Sequence, residues 1–280
     1  EGSTADDKTS NFEKKDAYYR SVNAYDTFKG GNSCGGSCTS RKEVILAGSN
    51  GGMLHAFDTS DGDELWGYIA PNLLGKLSTM ISSKTDATNA IYGVDGSPIV
   101  KDIYYDDTPD NSRDDPVWKT IVLTGLGAGG YGYFALDITD INSPKHLFAI
   151  ENDPFNKVVK HWNSDERYKG YKYKAGNIPA DFDYRKLGET WSTPRIIRIK
   201  VSGKDKWVAV FGGGNNNKVN SNYGSAVFVM DLENEGKLLK KIDIDDFANN
   251  TELWDDVPKK FPDFKIILKD QIIELQNKYL

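Results

Sequence analysis

The residues able to do chemistry are few in this chain, and their spacing argues against catalysis. Only three histidines occur, His55, His146 and His161, and no two of them have the spacing that would set both on one helix face to hold a metal. His55 alternates with apolar residues along a strand, which is a structural pattern. The segment Gly127-Ala-Gly129-Gly-Tyr-Gly132 matches the Gly-x-Gly-x-x-Gly of dinucleotide sites. That chemistry needs a helix immediately after the glycines, so that its N-terminus meets the pyrophosphate. The next residues, Tyr133-Phe-Ala-Leu-Asp-Ile-Thr139, read as a strand, so the glycines form a hairpin turn. Gly31-Asn-Ser33-Cys-Gly35 matches a nucleophile elbow, yet it has neither a strand before it nor a helix after it. Cys34 and Cys38 are the only cysteines, and the small residues between them let a disulfide close with little strain. No other Cys or His lies nearby to complete a zinc site. The bridge is the preferred reading and would place the protein outside the cytoplasm. Two free thiols on a loop of a reducing compartment are the alternative.

Composition narrows the class further. The 280 residues carry a net charge of −6, which leaves no basic surplus to displace counterions from nucleic acid. No apolar run approaches the length of a membrane span. The chain starts at Glu1 without Met or a signal peptide, so it reads as a mature form or an excised piece. Twenty-seven glycines and 12% aromatic residues point to short aromatic-rich strands joined by many turns.

The elements that would position these residues form a repeat over residues 44–242. The first copy runs Val44-Ile-Leu-Ala-Gly-Ser-Asn-Gly51-Gly-Met-Leu-His55-Ala-Phe-Asp58 and closes with Glu64-Leu-Trp66. The second runs from Thr120 through Gly127, Gly129 and Gly132 to Asp137, then Lys145-His-Leu-Phe-Ala-Ile150. The third runs Trp207-Val-Ala-Val-Phe-Gly212, an Asn-rich insert, Ser225-Ala-Val-Phe-Val-Met-Asp231 and Leu238-Leu-Lys-Lys-Ile242. A leading strand precedes two copies: Asp95-Gly96-Ser97-Pro98-Ile-Val, and Trp191-Ser-Thr-Pro194-Arg-Ile. Pro at a strand start costs no ladder hydrogen bond. Four-stranded antiparallel meanders in series are the blades of a β-propeller. The expected fold is therefore all-β, a partial propeller of about three blades. A plain sandwich of hairpins is the alternative. Trp66, Trp207, Phe57, Phe134 and Phe228 should wedge between blades, and Trp191 likewise.

The copies lie farther apart than the roughly 40–45 residues a plain blade needs. The surplus falls in inserts at 71–92, 106–116 and 152–188. The first opens on Pro71 and suits a short helix with Pro in its first turn. The third reads as a surface excursion. It and the polar loop 212–224 are the surfaces expected to touch a partner. Residues 1–43 form a polar arm with Tyr19, Tyr25 and Phe28 among its possible anchors. Residues 243–280 form an acidic linker and an amphipathic C-terminal helix. Three copies do not close a ring, and the first lacks a leading strand. The chain therefore reads as a fragment, or as a part completed by blades from elsewhere.

Taken in order, Gly48–Asp58, Glu64-Leu-Trp66, Tyr92-Gly-Val-Asp-Gly-Ser-Pro98, Gly125–Asp137, Thr190-Trp-Ser-Thr-Pro194 and Trp207–Gly214 resemble the PilC/PilY-type family of type IV pilus biogenesis proteins. The resemblance implies a quinoprotein-like propeller at the pilus tip or outer-membrane surface. It implies roles in pilus assembly, surface attachment and twitching motility, with minor pilins or pilus-tip proteins as partners, and a host or surface ligand besides. It also implies a calcium loop. The matching residues here, Asp243, Asp245, Asp246, Asn249 and Asn250, lack the glycine and final carboxylate of an EF-type loop, and the run from Asp106 to Asp115 fails the same test. No cofactor is therefore expected. A pyrroloquinoline quinone oxidoreductase is a rival reading, and a generic extracellular protein-binding propeller is another. The first would require a vicinal Cys pair and a full ring, and neither is visible.

Overall fold

A computed structural model describes residues 18–30, 42–82, 91–106, 116–174, 176–215 and 223–244. The chain divides into two units, Glu1–Lys241 and Ile242–Leu280, and the architecture is that of the first. Three antiparallel sheets succeed one another, each ordered as the chain runs. Sheet 1 holds β1 (Val44–Gly48), β2 (Leu54–Asp58) and β3 (Glu64–Tyr68). Sheet 2 holds β4 (Ile99–Tyr105), β5 (Val117–Gly125), β6 (Gly132–Asp137), β7 (Lys145–Asp153), β8 (Val158–Trp162) and β9 (Tyr168–Lys172). Sheet 3 holds β10 (Arg195–Val201), β11 (Lys204–Gly212), β12 (Ala226–Asp231) and β13 (Lys237–Asp243).

Strand alternation explains how the sheets stack. Successive side chains point to opposite faces of a strand, and in sheet 2 both faces are apolar. Ile121, Leu123, Tyr133, Ala135, Phe148 and Ile150 pack with Trp207, Ala209, Phe211 and Phe228 of sheet 3. Their neighbours Val122, Phe134, Leu136 and Ala149 pack with Leu54, Leu46, Trp66 and Tyr68 of sheet 1. Sheet 2 is thus the middle layer, which is why every residue of β6 is buried. Trp66 and Trp207 both contribute to these seams, and their indole N–H groups donate to Ile141 O at 2.7 Å and Tyr104 O at 3.1 Å.

Three expectations change. Phe57 does not fill a seam. Its register partner on β1 is Ile45, opposite the Leu46–Ala56 pair that faces sheet 2, and its ring stacks on His55. Trp191 is half exposed rather than wedged. The insert 152–188 is not simply an excursion, because β8 and β9 pair onto β7 and widen sheet 2 to six strands. The first insert forms the expected helical stretch, a 3-10 helix over Pro71–Lys76 and then α-helix Leu77–Ser82.

Part of the N-terminal arm is anchored by its aromatic residues. The Tyr19 ring meets Tyr104, Trp118 and Trp207 edge-on, and the Arg198 guanidinium lies 3.7 Å from its centroid. Tyr25 donates its hydroxyl to Asp102 at 2.7 Å, and Trp118 donates to Asn23 O at 2.7 Å. Phe28 is buried beside them.

Candidate functional site

Two connecting segments, 93–98 and 188–194, stitch the glycine turns of successive sheets together. In the first, Val94 N–H donates to Ser49 O of sheet 1 at 3.0 Å, and Asp95 N–H donates to Leu126 O of sheet 2 at 3.2 Å. In the second, Glu189 and Asn215 exchange backbone hydrogen bonds of 2.8 and 2.9 Å with the sheet 3 turn. Thr190 returns to sheet 2, where its hydroxyl accepts from Leu126 N–H at 2.8 Å and donates to Gly132 O at 2.9 Å. The backbones approach so closely that a Cβ on Gly129 would fall 1.8 Å from Gly93 O, and one on Gly96 would fall 2.2 Å from Gly125 O. Gly127 takes a left-handed φ of 57° in the same turn. Ser97 is exposed and Pro98 half-buried as the chain enters β4, whereas Pro194 is buried at the entry to β10. Gly212 N–H donates to Ser192 Oγ at 2.9 Å, and Gly51 lies exposed on the sheet 1 turn.

Asp58, Asp137 and Asp231 share one construction. Each carboxylate accepts a backbone N–H two residues on, from Ser60 at 2.9 Å, Thr139 at 2.9 Å and Glu233 at 3.0 Å. These are Asx turns closing the hairpins. His55 bridges two side chains. Its Nε2 lies 3.1 Å from Ser49 Oγ and its Nδ1 lies 2.7 Å from Glu64 Oε1. The order of contacts is that of a hydrolase triad. Here the Ser49 hydroxyl also reaches Met53 O at 3.2 Å, and the network ties the three strands of sheet 1 together.

A cavity of 580 Å³ opens where the inserts meet the stitched turns. Its walls come from the 3-10 helix (Asn72, Lys76), the glycine turn 128–131, the β7–β8 corner and strands β8 and β9. Lys160 spans its acidic side, 2.8 Å from Asp153 and 3.4 Å from Glu151. The Lys76 ammonium donates to Gly129 O. Burial raises the Glu151 pKa from its ordinary value, and the two lysines only partly offset that. Asp153 is held below its ordinary value, because the hydrogen bonds from Asn156 and Lys160 outweigh its burial. Asn152 fixes the floor by donating to Arg185 O at 3.0 Å and Leu187 O at 2.7 Å, while the Tyr173 hydroxyl donates to its carbonyl. Asn72 is 5% exposed and its Oδ1 has no partner. Phe155, Trp162 and Tyr168 add aromatic surface at the cavity.

The sequence pointed to the 152–188 insert as contact surface, but not to Asn72, Lys76 or Glu151, whose convergence depends on tertiary packing. Cys34 and Cys38 lie outside the described residues, as do the C-terminal helix, almost all of the two acidic runs and part of the 212–224 loop. Among the described residues no three His, Cys, Asp or Glu side chains converge on a metal site; the acidic runs that the calcium expectation concerns lie almost wholly outside those residues.

Comparison with known proteins places these features in a wider set. Residues 18–250 match the family model described as the PilY1 beta-propeller domain. The chain is similar to the type IV pilus biogenesis factor PilY1 of Pseudomonas aeruginosa, at 29% identity over 204 residues, covering 73% of this chain and 14% of the relative. It is similar to a PilY1 homolog of Xylella fastidiosa, at 30% identity over 205 residues, covering 73% of this chain and 11% of the relative. The chain thus spans about a seventh or less of the length of these relatives. The crystal structure of the Pseudomonas aeruginosa PilY1 C-terminal domain aligns with a TM-score of 0.47 and 26% identity, over 78% of this chain and 32% of that one.

Proposed function

This chain belongs to the PilY1 β-propeller family, and from that premise we propose that it is a non-catalytic binding and assembly module of a type IV pilus tip or biogenesis protein. In this role it joins minor pilins or other tip proteins, at the pilus tip or outer-membrane surface, and supports attachment and motility. The observation that carries the reading is the family match across residues 18–250. The form of the molecule supports it. Sheet 1 turns Ile45 outward at 57% exposure, and sheet 3 leaves Ile197 and Leu239 more than a third exposed. Apolar residues on the outer sheets suit contact with further blades or partner proteins. In-frame removal of the segment from its full-length protein tests the proposal. Loss of surface pili, and loss of co-purification with minor pilins, is the expected result. Intact piliation, motility and attachment would overturn it.

A further inference from the structure

The 580 Å³ cavity is built from what the plain blade does not need. The 3-10 helix and the β8–β9 hairpin both belong to inserts, and they meet at the glycine turn 128–131. Its volume lies within the range of small-molecule sites, roughly 300–1,000 Å³. Three properties restrict what it can hold.

Its charges already have partners. Lys160 is shared between Asp153 and Glu151, and Lys76 is engaged by the Gly129 carbonyl. A cationic ligand would meet two lysines, and an anionic one would meet Glu151, Asp153 and Glu189. Either would have to displace an existing pair while losing its own hydration. A neutral ligand avoids both costs.

One buried polar atom of a lining residue needs a donor. Asn72 Oδ1 is buried without a hydrogen-bond partner, and a buried acceptor is costly until it is satisfied. The carboxylates lining the same cavity add further acceptors. A small ligand must therefore carry several donors close together. A peptide segment offers one backbone N–H per residue, whereas a polyhydroxyl compound offers one on nearly every carbon.

Its rim is aromatic. Phe155 is 76% exposed and Tyr168 is 56% exposed, and the Tyr168 ring lies 5.4 Å from that of Trp162. Exposed rings beside a polar pocket suit a ligand with a flat C–H face, because Tyr and Trp combine an apolar body with a polar edge.

We propose that this cavity is a binding site for a neutral carbohydrate, a pyranose whose hydroxyls donate to Asn72 and the acidic wall while its C–H face packs on Tyr168 and Phe155. The inference rests on reading the chain as a binding module, but not on the pilus as the place where it acts. The test uses the purified 280-residue chain with methyl glucoside, methyl galactoside and methyl mannoside, and with glucosamine and galacturonate as charged counterparts. Saturation-transfer NMR and tryptophan fluorescence give the readout. At least one neutral sugar should bind in the millimolar range or tighter, and the charged sugars about tenfold more weakly. Y168A and F155A, both changes of exposed side chains, should weaken binding about fivefold to tenfold without altering the melting temperature. N72L should abolish binding, and its melt shows whether it remains folded. Saturation by no neutral sugar, equal binding of a charged one, or unchanged affinity in both aromatic variants would overturn the site. Piliation of the same Y168A variant in cells separates the two proposals, since sugar binding can fail while pili persist.

Discussion

Asp183 and Glu151 show how two carboxylates of one chain can respond to pH in opposite directions. Burial alone would raise Asp183, but hydrogen bonds from Arg185, at 2.7 Å, and from Lys241 bring its pKa down to about 2. A lowered native pKa gives stability that is present above the unfolded value and lost as pH falls through the native one. The D183N variant should lose about 1 kcal/mol at pH 7, after allowance for partial exposure. That deficit should vanish as acid titration approaches pH 2, which thermal melts across pH will show. Glu151 runs the other way. Its raised pKa means that its favourable contribution is complete below 4.5 and lost as pH rises through the native value. The melting temperature of E151Q should therefore gain on that of the parent chain as pH climbs from acid to neutral. Neither effect was legible in the sequence, because Asp183 meets Lys241 58 residues away. The hairpin aspartates were legible, since an Asx turn needs only the next two residues of the chain.

Elements carry a different set of signals. The glycine turns stood out because glycine is needed where one backbone crosses another, and the stitches are such crossings. G129A would drive a methyl group against Gly93 O, and should cost about 3 kcal/mol or more in urea denaturation. G62A is the control. Gly62 has a φ of 81° but nothing within 4 Å of its missing Cβ, so only backbone strain of about 1 kcal/mol is expected. The hairpin β8–β9 was not legible as strands. Strand β9, Tyr168–Lys172, buries only Tyr171 and carries lysines at 169 and 172. Charged, mostly exposed edge strands resist pairing with other chains, and the same composition hides them among loops. The 3-10 helix at Pro71 was legible through its proline, whereas its contribution of Asn72 to a cavity wall was not, because the facing residues lie on strands far along the chain.

At the scale of the whole molecule, three stacked sheets leave two outer faces, and the outward side of sheet 1 is the clearer one. Ile45 and Phe57 share it with His55. I45S should change the stability of this chain by less than about 0.5 kcal/mol. In a longer protein whose next blade covers that side chain, the same change should cost about 1–2 kcal/mol. Denaturant melts of both proteins make the comparison. That sheet 2 is covered on both faces agrees with the near-continuous apolar runs of β5, β6 and β7, while the outward placement of Phe57 was not legible, since a sequence does not say which layer stands at the end. The stitches between the glycine turns run mainly through backbone, with the Thr190 hydroxyl added, and the 3-10 helix and the β8–β9 hairpin are grafted onto that frame as inserts. Selection can therefore rewrite the walls without retuning the frame, so homologous chains that share the stitches are free to differ in what they hold, and exchanging residues 71–82 and 153–172 between two of them should transplant the preference along with the loops.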